Sequence, residues 1–132
     1  MSASIEFVKS LYAAFARGEI ATLVKACAPD IRWEVKGRPQ DYPCIGIWTG
    51  QSGVGAFFQV VAETETPLAF AQSEFHAAGD NVFVTGRYKW TLTKTGKTVE
   101  CDYLHIFTIK AGKVTQFREF TDTAQFALAW KG

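Results

Sequence analysis

Apolar residues recur along the first third of the chain at the spacing of a helix face. Over residues 4–17, Ile5, Val8, Leu11, Tyr12 and Phe15 fall on one side, the three-to-four spacing of an amphipathic helix. Ser4 is placed to cap its start, and Gly18 to take left-handed backbone after its end. A second helix is predicted over 19–28, with Ile20, Leu23, Val24 and Cys27 inward and Pro29-Asp30 as its stop. Ile31, Trp33 and Val35 then alternate with Arg32 and Glu34, which is the period of a strand. Residues 36–50 hold Gly37, Pro39, Pro43, Gly46 and Gly50 and read as one long loop. Its Tyr42, Ile45, Ile47 and Trp48 are apolar enough to cover something. A third helix is predicted over 52–63, with Val54, Phe57, Phe58 and Val61 inward.

After Pro67 the period changes to two. Residues 68–77, 82–93, 98–109 and 114–121 are rich in β-branched and aromatic residues. Gly79-Asp80-Asn81, Thr95-Gly96 and Ala111-Gly112 separate them as hairpin turns. A short amphipathic segment, 124–130, ends the chain, with Asp122 as a possible cap. Helices first and a strand meander after predict an α+β domain with helices on one face of the sheet.

Hairpin parity decides which side chains meet. A two-residue Thr95-Gly96 turn would set Trp90 opposite Cys101, Tyr88 opposite Tyr103, Gly86 opposite His105 and Lys89 opposite Asp102. At Ala111-Gly112 a three-residue loop is expected, with Gly112 in the left-handed position as a bulge. One face then carries Tyr88, Trp90, Tyr103, His105, Phe107, Phe117 and Glu119. The other carries Lys89, Asp102, Leu104, Ile106, Arg118 and Phe120. Three helices can cover the first face but not both. The second predicts a partner sheet, most simply a homodimer through the outer sheet face. His76, at a strand end, is expected in solvent.

Composition narrows the function. The 132 residues suit a single domain spanning 1–132. Lys plus Arg number 14 against 13 Asp plus Glu, so there is no basic excess for nucleic acid. No apolar run approaches the roughly 20 residues of a membrane span. The opening MSASIEFVKS lacks a signal pattern, and Cys27, Cys44 and Cys101 are an unpatterned trio. Both features predict a cytoplasmic protein with reduced thiols. No Cys or His pair has metal-ligand spacing, so no metal is expected. Aromatic residues make up 14% of the chain.

The run of elements, with HIFTIKAGKVTQFREFTD over residues 105–122, resembles the NTF2-like, or cystatin-like, α+β cone. Within it the chain is similar to the SnoaL-like group, whose neighbours include polyketide cyclases, ketosteroid isomerases and limonene-type epoxide hydrolases. The resemblance covers nearly the whole chain. It implies an acid/base pair at His105 and Glu119, with Glu where the SnoaL-type cyclases carry Asp. The epoxide hydrolase positions hold Gly86, Tyr88, Trp33 and Val35, and the ketosteroid isomerase positions hold Val35, Leu11 and His105, so neither of those apparatuses is implied.

A carboxylate and an imidazole among rings can move a proton near neutral pH, as an enolisation or aldol-type cyclisation of a carbonyl or polyketide-like compound requires. Tyr12, Tyr88 and Tyr103 are candidate donors to a developing oxyanion. Trp33, Trp48 and Phe117 are candidate lining for a small apolar or aromatic ligand. Such an enzyme would be a cofactor-free isomerase or cyclase-type lyase. The same pair could equally satisfy itself inside a non-catalytic ligand-binding or dimerisation module. Sequence alone leaves both readings open.

Overall fold

The computed structural model describes residues 2–132. Helix α1 spans Ala3–Ala16 and α2 spans Ile20–Lys25. They are followed by strand β1 (Cys27–Val35), a 3-10 turn (Pro39–Asp41), strand β2 (Gly46–Thr49) and helix α3 (Gly50–Thr64). Strands β3 (Glu65–Ala78), β4 (Asn81–Leu92), β5 (Thr98–Lys110) and β6 (Lys113–Thr121) come next, and helix α4 (Thr123–Lys131) ends the chain. The six strands form one mixed sheet in the order β2-β1-β6-β5-β4-β3. Only β1 against β6 is parallel.

The helices form where the periodicity places them. Val8, Leu11 and Ala14 of α1 and Val54, Phe57 and Val61 of α3 are buried against the inner sheet face. Along β4, Val82, Val84, Tyr88, Trp90 and Leu92 are all buried, alternating with more exposed neighbours. This is the one-sided burial that a period of two demands. Two register shifts, at Pro67/Ala69 and Gln72/Glu74, interrupt the pairing of β3 with β4. Such bulges bend a strand, and β3 wraps toward α1.

Several boundaries differ from the sequence reading. Ser2, not Ser4, caps α1, its hydroxyl accepting from Ile5 N–H at 3.2 Å. The second helix stops at Lys25 rather than near 28. The Ala26 carbonyl accepts from Val114 N–H at 3.0 Å, and Cys27 pairs with Val114, so the β6 ladder takes these residues from the helix. The loop 36–50 contains β2, which pairs with β1 from Arg32↔Thr49 to Val35↔Gly46.

Both hairpins reach the expected faces by a different route. The β4–β5 connection is longer than two residues: Leu92 N–H donates to Lys97 O and Gly96 N–H to Leu92 O, both at 2.8 Å. The register therefore slides by two. Trp90 pairs with Val99, Tyr88 with Cys101, Gly86 with Tyr103 and Val84 with His105. Because the slide is even, every side chain keeps its face. Asp102 consequently lies opposite Arg87, at 3.0 Å, instead of Lys89. At the next turn, Lys110 pairs directly with Lys113 around Ala111 and Gly112, at φ of 50° and 74°. The extra residue enters further on, where Thr108 pairs with Gln116 and Ile109 with Val114. This bulge puts His105 opposite Glu119.

Candidate functional site

The inner face of the sheet and the helices enclose a cavity of about 90 Å³. A single water needs on the order of 10–15 Å³, so a small organic molecule has room. The walls are largely aromatic and include Tyr12, Trp33, Tyr88 and Phe117, with His105, Glu119 and Glu65 among them. Tyr12, Phe15 and Phe70 also line an outer groove beside Pro67 and Leu68. These three rings are the partition between groove and cavity.

His105 is the centre of the polar group and is 4% exposed. Its Nδ1 lies 2.6 Å from Tyr12 Oη, and its Nε2 lies 2.8 Å from Glu119 Oε1. Burial, then the charges of Tyr103 and Glu119, hold the Tyr12 phenol well above its ordinary range. The phenol therefore keeps its proton and donates to Nδ1, which assigns the Nε2–H tautomer donating to the Glu119 carboxylate. The imidazole is flanked by Tyr103, with ring centroids 4.2 Å apart, and by Tyr12 at 5.9 Å. Its orientation is thus set at both nitrogens and by its stacking neighbours.

Glu119 also faces Tyr88. The Tyr88 hydroxyl lies 3.1 Å from Glu119 Oε2 and 2.7 Å from Thr121 Oγ1. One phenolic proton cannot serve both at full strength, and the shorter contact is to Thr121. Oε2 is left with the weaker partner, at a residue on the cavity wall. Burial, then the Glu119 charge, pushes the Tyr88 phenol well above its usual range, so it remains a donor.

The aromatic candidates separate. Trp33 stacks on Phe117 with centroids 3.9 Å apart, and both rings line the cavity. Tyr103 stands behind His105 rather than on the wall, donating to Ala71 O at 3.0 Å and accepting from Gln72 Nε2 at 3.3 Å. Trp48 lies outside the cavity lining; its indole N–H donates to Cys44 O at 3.3 Å and its ring packs on Phe57. Trp90, which parity placed on the inner face, is on the wall. His76 is exposed and its Nε2 lies 3.1 Å from Glu74.

Sequence reasoning missed Glu65. It follows α3 directly and pairs with Leu92 at the start of β3. Its carboxyl lines the cavity and accepts from Tyr42 Oη at 2.9 Å. Burial pushes this acid up to about 8, and the Glu119 charge adds to the rise while the Tyr42 hydrogen bond opposes it. The one available signal was an acid beside an amphipathic helix end, which surface residues share. Tyr42 and Ile45, flagged as apolar for a loop, do line the cavity. Among the described residues, no group of His, Cys, Asp and Glu could hold a metal ion, and no helix is long and apolar enough to cross a membrane.

Helices on a curled mixed sheet around an aromatic cavity define the NTF2-like, cystatin-like class of α+β cone. The chain belongs to the SnoaL-like domain family, whose model matches residues 8–117. It is similar to an NTF2-like protein of unknown function from Burkholderia pseudomallei, at 26% identity over 100% of both chains and a TM-score of 0.91. An NTF2-like protein from Burkholderia thailandensis is 32% identical over 98% of both chains, with a TM-score of 0.86. The structure of TerC co-crystallised with polyporic acid is 27% identical, covering 99% of this chain and 100% of that one, with a TM-score of 0.86.

Proposed function

We propose that the protein binds a small apolar or aromatic carbonyl compound in the cone and moves a proton on it with Glu119 and His105. The observation that carries this reading is the chain Tyr12 Oη–His105 Nδ1 and His105 Nε2–Glu119 Oε1, at 2.6 and 2.8 Å, on the wall of an aromatic cavity. The co-crystallisation of the relative TerC with polyporic acid supports a small-molecule role. In the step proposed, the Glu119 carboxylate takes a proton from the carbon beside a carbonyl. The C–H electron pair forms the C=C bond of an enolate, and the charge passes to the oxygen. His105 donates to Glu119 through Nε2–H and positions it. Isomerisation or aldol-type cyclisation both begin with this step. A binding module of the same fold would keep the cavity and lack the exchange.

Acetophenone is a suitable probe, being small, aromatic and without a titrating group. Ligand-observed NMR should show it binding, and its methyl protons should exchange with solvent deuterium. Glu119→Gln should still bind and should lose the exchange by about 10²-fold or more. Equal exchange with wild type and Glu119→Gln would remove Glu119 from the reaction, and binding without any exchange would leave the module reading.

We also propose that the outer sheet face joins two copies, in the cytoplasm, where the three buried free thiols stay reduced. Phe120 is 38% exposed on that face. A second sheet laid on this face would cover that ring. Phe120→Glu should convert a dimer to a monomer in sedimentation. A wild-type monomer at micromolar concentration refutes the pairing.

A further inference from the structure

The cavity holds two carboxyl groups, and the reading above uses one. Glu119 enters from β6 beside Tyr88, while Glu65 enters from the start of β3 beside Leu92. Around Glu65 stand Tyr42 and Cys44 from the segment before β2, Tyr88 from β4 and Glu119 from β6. Its Oε2 accepts from Tyr42 at 2.9 Å. Its Oε1 has no hydrogen-bond partner among the described residues, although the residue lies on the cavity wall. No Lys or Arg of the described residues lines the cavity, so no cation compensates a second negative charge there. Two carboxylates sharing one apolar space cannot both ionise cheaply, and the one without a cationic or imidazole partner keeps its proton. Glu119 has His105; Glu65 has a phenol that already donates to it. The proton left on Glu65 then belongs on Oε1, the oxygen without a partner.

Helix α4 closes this end. Phe126 packs on Tyr42 with centroids 4.9 Å apart, and Trp130 meets the same ring edge-on at 5.4 Å. The Tyr42 ring that donates to Glu65 is therefore fixed by two rings of α4, and Glu65 itself lies on the cavity wall.

We infer that Glu65 is a second ligand-facing group, a neutral carboxylic acid whose O–H donates to an oxygen of the bound molecule. The cavity then selects a compound with a hydrogen-bond-accepting oxygen directed to the α4 end. This inference rests on the cavity being a ligand site, as proposed above, and adds the polar group by which the ligand is chosen. An apolar hydrocarbon of the same shape would leave the donor unpaired and be rejected, since an unmet buried polar group costs more than a missed apolar contact.

The test measures the dissociation constant of acetophenone by ligand-observed NMR. Glu65→Gln retains a donor in similar volume and should bind within about threefold of wild type at pH 6. Glu65→Leu removes the donor and should weaken binding by tenfold or more, with thermal unfolding checking that it folds. Wild-type affinity should fall at least fivefold between pH 6 and pH 9.5, as the donor becomes an acceptor, while Glu65→Gln stays flat. If Glu65→Leu does not fold, the comparison of these two pH profiles decides. Equal pH profiles for wild type and Glu65→Gln, or unchanged affinity in a folded Glu65→Leu, overturn the inference and leave the Glu119 reading intact. No binding of acetophenone to wild type overturns both.

Discussion

Tyr12→Phe isolates one hydrogen bond in the site. The ring contacts of Tyr12 with Phe70, Phe75 and Phe107, at centroid separations of 5.8, 6.1 and 5.8 Å, are available to phenylalanine as well. What is lost is the hydroxyl and its 2.6 Å contact with His105 Nδ1. A net hydrogen bond is worth about 1 kcal/mol, but removing one partner leaves the other buried and unmet, which costs about 1–3 kcal/mol. His105 is 4% exposed, so the larger effect applies. For a domain of this size, about 4 °C of melting temperature accompanies each kcal/mol, and Tyr12→Phe should melt about 4–12 °C lower. Chemical unfolding should show a shifted midpoint with an unchanged slope. In nitrogen-15 NMR, the Nδ1 resonance should lose the signature of an acceptor, while Nε2 keeps its proton. A variant within 0.5 kcal/mol of wild type, with the Nδ1 resonance unmoved, would refute the claim that the Tyr12 hydroxyl satisfies His105.

Three further predictions concern other links in the structure. Glu65 holds its proton in the fold up to about 8 against an ordinary value of 4.5, so the folded state binds more protons between those limits. Stability should therefore fall as pH rises from about 4.5 to about 8, by at most about 1.4 kcal/mol per unit. The fall should be absent in Glu65→Gln urea titrations, and identical slopes would contradict the burial argument. Gly86→Ala should be severely destabilising or insoluble, because a Cβ there meets the Ala71 carbonyl and the Tyr103 ring; normal expression and melting would show that β3 can yield. Ala111 has φ of 50°, which costs a non-glycine residue about 1–2 kcal/mol. Ala111→Gly returns about 0.4–1 kcal/mol of that to unfolded-chain entropy, so a net gain of roughly 0.5–1 kcal/mol should appear in the melting temperature.

Periodicity made the elements and faces legible. A period of 3.6 marked α1 and α3, and a period of two divided β4, β5 and β6 into an inner aromatic face and an outer mixed face. Face identity depends only on parity, so it survived an even slip in the β4–β5 register and a bulge found at a different residue from the one expected. For the same reason His105 and Glu119 could be placed on one face; their pairing was implied by the resemblance alone, and the bulge sets them opposite one another.

Pairing by pairing, the register was beyond the local pattern. The long β4–β5 connection is held by contacts distant in sequence: Thr93 N–H donates to Thr64 O at 2.9 Å and Thr95 Oγ1 to Ala129 O at 2.8 Å. The early end of α2 depends on a hydrogen bond from Val114 on β6. Glu65 gave only the signal of an acid beside a helix end, which surface acids share. Its carboxyl is desolvated because Tyr42, α4 and the Glu119 side of the sheet converge on it from separate parts of the chain. By itself, then, the sequence determined which residues face inward, since backbone geometry makes that a local property. The tertiary structure decided which of those residues meet, and so which acid keeps its proton, because burial and the charge of a distant neighbour exist only once the cone has closed.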